Sequence, residues 1–449
     1  MQTPYWNAEL ETKPWAAVER WHREQLSELI SSLKVRSRFY NERLAGIQWG
    51  ASASCSTAPL SELPFTTKDD IRAAQEEVRP GEPFGTIQAA PLTEIVQCLS
   101  SSGTTGDPIY YALTRRDLEV WTDGIANTFF TTGIRPGDVV GHLVGLPMVA
   151  GGLPYADAFR RIGATLAWLG GFPTARIISS LRRLQATAIL ATTSFGLHLT
   201  THCEELMGFP ASDLRLKKFV SGGEPGLGQP EIRDSVARGL GLSHVREMMG
   251  LGDVMAAMWG ECDETGGMHF NAQRYVFVEL IDPATGAPVA WKEGAMGEAV
   301  YTTFERDATP LLRYRSRDHI VVTATECRCG RTSPKIRCIG RTDDMLFYKG
   351  MNVFPSAVRD VIVGGFSGIA TPYVRLIKER PDQVRFDEPI PVEVEAARGT
   401  SPEAMIGIAA AIEQRVREQL QIRVRVTLVP TGAIPRGAYK TALTHVRPA

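Results

Sequence analysis

The chain has 449 residues, 43% of them hydrophobic and 22% charged, with a formal net charge of −1. That length exceeds a single core and asks for two or three domains, while the balanced charge builds no field that would favour nucleic acid or an anionic membrane as partner. No apolar run approaches the ~20 residues of a membrane span. The opening Met1-Gln2-Thr3-Pro4-Tyr5-Trp6-Asn7 lacks a basic-then-apolar leader, so a cytoplasmic protein is expected. Seven cysteines are an odd count in a long chain, which argues for thiols, a metal or both rather than a disulfide framework.

In chain order, Trp15, Val18, Leu26, Leu29, Ile30 and Leu33 recur near helical spacing and predict an amphipathic helix over 15–40. The β-leaning run Glu94–Leu99 leads into Ser100-Ser101-Ser102-Gly103-Thr104-Thr105-Gly106. Thr114 then serves as N-cap, with Asp117 at N3, of a helix running to about Thr132. Short apolar runs follow at Val139–Leu146, Ala164–Leu169, Ala188–Thr192 and Phe219–Ser221, with helical segments between them, so an α/β layered domain is expected. From Tyr275 the pattern turns β-rich: strands at Tyr275–Ile281 and Gly297–Thr303 flank the turn Asp282-Pro283-Ala284-Thr285-Gly286. After Asp343 the chain restarts as a small α+β unit. Its pieces are strands at Tyr373–Ile377, Pro391–Glu395 and Ile422–Val429 and a helix from Pro402 to Leu420. The expected division is 1–342 and 343–449.

The Ser/Thr/Gly loop after the first strand is the sharpest feature. Two glycines free the backbone and five small hydroxyls supply donors, which suits the wrapping of a polyphosphate. It lacks the Gly-Lys-Ser/Thr ending of a Walker A loop, and read alone it would also serve as a flexible linker. Further segments follow in order. Ser221-Gly222-Gly223-Glu224-Pro225 sits at a strand's C-terminal end, where α/β folds place ligands. Met248-Met249-Gly250-Leu251-Gly252-Asp253 puts a carboxylate past a glycine-rich turn, and Arg313-Tyr314-Arg315-Ser316-Arg317-Asp318 ends in an acid suited to a ribose diol. Gly340-Arg341-Thr342-Asp343-Asp344-Met345-Leu346, Lys349-Gly350-Met351-Asn352-Val353-Phe354-Pro355 and Pro435-Arg436-Gly437-Ala438-Tyr439-Lys440 complete the set. Each has a plain structural reading by itself; the order carries the specificity.

The ordered set resembles the adenylate-forming acyl-CoA synthetases and, within them, the phenylacetate–CoA ligase family, from about residue 60 to the C-terminus. The resemblance implies a large adenylate-forming N-terminal domain, with α/β layers and a β-rich subdomain, and a small mobile α+β C-terminal domain. It implies a two-step reaction in which a carboxylate attacks the α-phosphate of ATP and a thiol, usually that of coenzyme A, then displaces AMP. Such chemistry needs positioning and charge neutralisation more than a protein nucleophile. By this resemblance Ser101, Ser102, Gly103, Thr104, Thr105 and Gly106 hold phosphates. Gly223, Glu224, Pro225, Met248, Met249 and Gly250 line the nucleotide. Asp253 holds Mg²⁺, and Asp318 takes the ribose with Arg341. Lys440 neutralises charge at the reacting carboxylate and phosphate. Asp343 is the hinge, and Lys349 and Gly350 face the thiol channel. Val144, Val149, Ala150, Gly151, Phe195 and Gly222 are the expected acyl pocket, apolar or small enough for an aryl or arylacetic acid.

The chain also departs from the family pattern. Asp107 stands where a lysine is usual, Met249 replaces an aromatic, and Asp253 replaces a longer glutamate. Partners on this reading are the acid, ATP and coenzyme A, with a carrier protein and a second copy of the chain as further candidates. Transfer to a carrier-protein phosphopantetheine or an amine, a nucleotidyltransferase of the deazaflavin-adenylylating kind, and a non-catalytic nucleotide-binding regulator are the competing readings. Independently of any resemblance, Cys262 and His269 with Cys327 and Cys329 supply three thiolates and an imidazole, the donor set of a closed structural zinc site. Cys55, Cys98, Cys203 and Cys338 have no partner spacing and read as packing residues.

Overall fold

The computed structural model describes residues 3–47, 49, 60–101, 108–144, 148–224, 226–366, 368–400, 402–435 and 442–447. It divides into two compact units. Unit 1 comprises residues 1–190, 218–220 and 246–337; unit 2 comprises 191–217, 221–245 and 338–449. The segments 191–217 and 221–245 therefore pack with the C-terminal residues, and unit 2 is larger than the expected region 343–449. Among the described residues no helix is long and apolar enough to cross a membrane.

The helices of unit 1 are α1 (Ala8–Glu11), α2 (Trp15–Arg36), α3 (Arg38–Arg43), α4 (Lys68–Glu76), α5 (Arg115–Thr131), α6 (Leu153–Ile162) and α7 (Thr174–Arg183). Its strands are β1 (Ile95–Ser100), β2 (Tyr110–Thr114), β3 (Val139–His142), β4 (Thr165–Trp168), β5 (Ala188–Ala191), β6 (Lys218–Ser221), β7 (His244–Leu251), β8 (Met255–Glu261), β9 (Met268–Phe270), β10 (Val276–Ile281), β11 (Met296–Thr303), β12 (Tyr314–Ala324) and β13 (Lys335–Arg341). The last eleven of these form one sheet in the order β10-β11-β12-β13-β9-β8-β7-β6-β5-β3-β4, some strand ends running on into unit 2. At one end β3 runs parallel to β4 and β5, and the helices between them provide the crossovers that parallel pairing requires. At the other end β10, β11 and β12 form an antiparallel meander. The expected switch from α/β layers to a β-rich part thus falls inside a single sheet.

Two helix signals behave differently. Thr114 and Asp117 form a complete capping box, so α5 starts where the sequence predicts. The predicted helix over 15–40 instead breaks at Ser37, whose backbone is extended (φ −121°, ψ 122°) and whose hydroxyl caps α3. Val18, His22, Leu26, Leu29, Ile30 and Leu33 form the buried stripe of α2, and its four leucine and isoleucine side chains join a cluster that includes Phe277 and Leu312.

Two buried histidines favour the folded chain at neutral over acidic pH. His22 Nε2 lies 2.6 Å from the Gln273 carbonyl, and His142 Nε2 lies 3.1 Å from that of Gly152. Burial pushes both pKa values down to about 4, whereas an unfolded histidine titrates near ~6.5. The folded chain therefore binds fewer protons. The stabilisation is full above about pH 6.5 and is lost as pH falls towards about 4. Urea unfolding should show about 1 kcal/mol lost per histidine between about pH 7.5 and about pH 5.5. His22→Gln should flatten that acid limb; an unchanged slope in the variant would refute the assignment.

Unit 2 carries α8 (Thr193–Met207), α9 (Pro230–Leu240), α10 (Pro355–Gly365) and α11 (Pro402–Leu420). Its strands are β14 (Leu346–Tyr348), β15 (Met351–Val353), β16 (Ala370–Lys378), β17 (Arg385–Phe386), β18 (Ile390–Ala396), β19 (Val424–Val429) and β20 (Thr444–Val446). They form a four-stranded sheet, β19-β18-β16-β20, and a three-stranded one, β15-β14-β17. Val358 and Ile362 of α10 and Ile412 and Val416 of α11 share one core with Val374, Val392, Val394 and Val424 of the larger sheet.

Candidate active site

Strands β1 and β2 pair antiparallel, with Ser100 opposite Tyr110, so the Ser/Thr/Gly residues form the connection of a hairpin. Ser102, Gly103, Thr104, Thr105, Gly106 and Asp107 lie outside the described residues. Ser101 is buried and donates its N–H to the Ile109 carbonyl at 2.9 Å. Its hydroxyl has no hydrogen-bond partner among the described residues. Ser100 also bridges to Val149 and donates its N–H to the Met148 carbonyl at 2.9 Å. The start of the loop therefore adjoins the segment expected to hold the acyl group. In that segment Val144, Ala150 and Gly151 are buried, and Gly151 lies beside Val144 and the Tyr155 ring.

The glycine-rich turn before Asp253 is the tip of the β7–β8 hairpin, where Leu251 pairs with Met255. Its register shifts between Met249 and Leu251, a bulge at Gly250. A Cβ there would lie 2.1 Å from the Ala256 carbonyl oxygen, so only glycine allows this approach of backbone to backbone. Gly252 packs against Ala150. Met248 is buried and Met249 half-buried on β7. Asp253 is buried, and one of its carboxylate oxygens, Oδ1, has no hydrogen-bond partner among the described residues. A buried oxygen of this kind is costly unless something binds it, and a divalent cation fits that donor. The Tyr111 phenol is held well above its ordinary pKa, by burial first and then by the charge of Asp253.

Arg306 fixes this turn from below. Its Nη1 donates to the carbonyls of Asp253 (2.8 Å) and Val254 (2.9 Å), and its Nη2 donates to Thr309 Oγ1 (3.2 Å). The guanidinium is buried, 5.6 Å from the Tyr111 ring centroid and 5.3 Å from that of Trp121. Asp117, the N3 residue of the capping box, also accepts from the N–H groups of Asp307 (2.7 Å) and Ala308 (3.1 Å). Sequence reasoning missed Arg306 because Glu305-Arg306-Asp307 looks like an ordinary solvated charge run.

The motif that ends in Asp318 is mostly structural. Arg313 meets Glu279 through two bonds, of 3.1 and 2.9 Å, with both side chains buried. Arg315 donates to Glu298 at 3.1 Å and Arg317 to Asp69 at 2.9 Å. Asp318 is buried on β12, its N–H donating to Ser316 Oγ at 3.0 Å.

In unit 2 Gly222 is buried, Gly223 is exposed with φ +86°, and Pro225 lies outside the described residues. The Glu224 carboxylate accepts from the Ser194 N–H, so it sits at the N-terminus of α8, beside the helix turn that carries Phe195. Arg341 ends β13 and is half-buried; Asp343 follows in a short helical turn, and its side chain is outside the description. Lys349 and Gly350 are the exposed two-residue connection of the β14–β15 hairpin, both at positive φ (48° and 86°). Lys440 lies outside the described residues.

A second cluster belongs wholly to unit 1. Cys262 follows β8 and His269 lies on β9, and the two strands pair with Gly260 opposite His269. Strand β13 pairs on the other side of β9, Lys335 opposite His269, which brings in the preceding Cys327–Cys329 turn. The ligand atoms of Cys262, His269, Cys327 and Cys329 all lie within 4.8 Å of one another. Cys262 Sγ is 3.7 Å from Cys327 Sγ, and Cys329 Sγ is 3.4 Å from His269 Nε2. The other ring nitrogen, Nδ1, lies 2.8 Å from the Ser333 carbonyl. The hydrogen bond from Cys262, followed by contact with His269, pulls the Cys329 thiol far below its ordinary value. The same hydrogen bond and burial push Cys262 up. The six described cysteines are all free thiols.

A long mixed sheet, a hydroxyl- and glycine-rich sequence between β1 and β2, a buried acid at the β7–β8 turn and a small α+β module in unit 2 fit the class of adenylate-forming enzymes. Residues 350–444 match the family model of the AMP-binding enzyme C-terminal domain. The chain is 29% identical to a phenylacetate–coenzyme A ligase of Thermus thermophilus, covering 95% of this chain and 96% of that protein. It is 30% identical to the Escherichia coli enzyme of that name, covering 85% and 84%, and 32% identical to that of Pseudomonas putida, covering 78% and 76%. The chain belongs to the phenylacetate–coenzyme A ligase family, and its class is that of the AMP-forming acid–thiol ligases. Two solved structures agree in fold. A 2-hydroxyisobutyryl-CoA ligase in complex with 2-HIB-AMP matches with a TM-score of 0.87 and 24% identity, over 99% of this chain and 93% of that one. An anthranilate-CoA ligase in complex with anthranoyl-AMP matches with a TM-score of 0.58 and 16% identity, over 79% and 66%.

Proposed function

We propose that this enzyme activates an aryl or arylacetic acid. It joins the acid to the α-phosphate of ATP as an acyl-adenylate with release of pyrophosphate, then passes the acyl group to the thiol of coenzyme A with release of AMP. The observation that carries this reading is the meeting, within unit 1, of three parts. They are the start of the Ser/Thr/Gly loop at half-buried Ser100 and buried Ser101, the apolar segment Met148–Gly151, and the Asp253 turn, whose Gly252 packs on Ala150. A phosphate-binding loop, an apolar acid site and a cation ligand are the parts such an attack needs side by side.

In this reading the loop residues Ser101 to Gly106 hold the β- and γ-phosphates. Mg²⁺ held by Asp253 would offset phosphate charge. Asp318 and Arg341 take the ribose, and Gly222 to Pro225 with Met248, Met249 and Gly250 border the base. Val144, Val149, Ala150, Gly151 and Phe195 give the acid an apolar seat. Lys440 offsets the charge that develops between carboxylate and phosphate. Residues 343–449 act as a lid that turns about Asp343 between the two half-reactions, and the exposed Lys349-Gly350 tip then faces the thiol.

The test is ATP–pyrophosphate exchange across a panel of carboxylic acids, followed by mass analysis of the product made with coenzyme A. Exchange should rise about tenfold or more with one aryl or arylacetic acid, and an acyl-CoA should appear. Exchange that needs no acid, or AMP transfer to a deazaflavin hydroxyl, would overturn the proposal. A thioester seen only on a carrier-protein phosphopantetheine would replace the acceptor.

A further inference from the structure

The chemistry proposed above leaves the Cys262–His269–Cys327–Cys329 cluster unused. We propose that this cluster holds a structural Zn²⁺ whose work is to fix the 327–332 turn as the seat of the N-terminal residues 4–13. The donor set is soft and closed, three sulfurs and one imidazole, which favours zinc over oxygen-seeking cations. With Zn–S near ~2.3 Å and Zn–N near ~2.0 Å, the edges of a tetrahedral site are about 3.5–3.8 Å. The distances of 3.7 Å between Cys262 and Cys327 and 3.4 Å between Cys329 and His269 already have that size. The separation is far too long for a disulfide. The Ser333 carbonyl takes the Nδ1 proton of His269, which turns the Nε2 lone pair towards the sulfurs.

The N-terminal residues dock on the same turn. The Tyr5 hydroxyl donates to the Cys329 carbonyl at 2.9 Å, and Arg331 Nη2 donates to the Pro4 carbonyl at 2.7 Å. Arg331 also forms a buried ion pair with Glu11 at 2.8 Å, the two side chains 4% and 1% exposed. The Thr332 N–H donates to the Glu11 carbonyl at 3.0 Å, and its hydroxyl donates to that of Lys13 at 2.5 Å. Every one of these partners is a thiol-bearing residue or lies within three residues of one. A turn this short has few apolar contacts of its own, so its shape must come from elsewhere, and a four-coordinate metal supplies it.

The experiment uses the full-length, untagged protein, purified without chelator, and needs no substrate, so it is independent of the ligase reading. Metal analysis should find about one zinc per chain. Cys327→Ser should hold less than about 0.2, while Cys203→Ser, which changes a buried thiol outside the cluster, keeps about one. Zinc below about 0.1 per chain in folded wild-type protein, stoichiometric iron in its place, or full zinc in Cys327→Ser would each overturn the site. A second measurement guards against a cysteine variant that fails to fold. Wild-type protein is stripped of metal by dialysis against a chelator and followed by amide hydrogen exchange. Exchange over residues 5–13 should quicken about tenfold or more, with the core of unit 2 unchanged, and added zinc should restore it. Metal-free protein with full protection over residues 5–13 would overturn the role as a seat.

Discussion

Lys440→Ala should lower the rate of acyl-adenylate formation by about 100-fold or more, while thioester formation from a pre-made acyl-adenylate stays near wild type. In the proposed mechanism the lysine serves only the first half-reaction, at the moment when negative charge gathers between carboxylate and α-phosphate. Loss of one well-placed cation at a developing charge costs about 3 kcal/mol, and each ~1.4 kcal/mol is tenfold in rate. Its place after the glycine-bearing Arg436-Gly437 suits a residue carried in and out on a turning lid. The measurement is single-turnover kinetics of each half-reaction, the second started from synthetic adenylate. An equal loss in both would falsify the division of labour.

Arg306→Met should cost about 3–5 kcal/mol of unfolding free energy and raise the KM for MgATP as well. The guanidinium is fully buried and satisfies the carbonyls of Asp253 and Val254 and the hydroxyl of Thr309. Methionine fills much of the volume but leaves those acceptors in the core without a donor, and removal of one partner from a buried charged network carries costs of about this size. Burial lowers the arginine pKa, while the carboxylates of Asp117 and Asp253 oppose that shift, so the charge is held between them. Urea unfolding gives the first number and steady-state kinetics the second. A stability change under about 1 kcal/mol would show that the turn at Asp253 holds itself. Arg306→Lys is the informative companion. It keeps the charge but not the planar fork, so it should recover part of the stability and less of the KM.

The sequence was most legible where local chemistry decides. Thr114 and Asp117 signal the start of a helix three residues apart, and the structure keeps that cap. The short apolar runs became strands because a parallel strand is buried on both faces and needs no alternation. Ser37 hid a break in a helix because the stripe of apolar residues continues on either side of it. Charge was the least legible feature. Arg313, Arg315 and Arg317 look like one binding motif in a row, yet their partners Glu279, Glu298 and Asp69 come from other parts of unit 1. Arg306 stood among charges in the sequence and among aromatic rings in the fold. The cysteines fell between these cases. Their residue types could be read, whereas their meeting depended on β8, β9 and β13 lying side by side.

The seating of the N-terminal residues also sets a timetable for synthesis. The residues up to the end of α3 leave the ribosome before the groups that receive them. The groups that receive them are the Gln273 carbonyl for His22, the Leu312 N–H for Tyr40, and Arg331 and Thr332 for Glu11. At about 5–20 residues per second, the stretch between Glu11 and Arg331 takes roughly 15–65 s to make. During that interval Leu26, Leu29, Ile30 and Leu33 lack Phe277 and Leu312 and have only the early-made part of their cluster, such as Leu63 and Ile87, to pack against. The nascent chain thus carries an amphipathic helix that stays only partly covered until Phe277 and Leu312 have been made, an apolar face open to chaperones during translation.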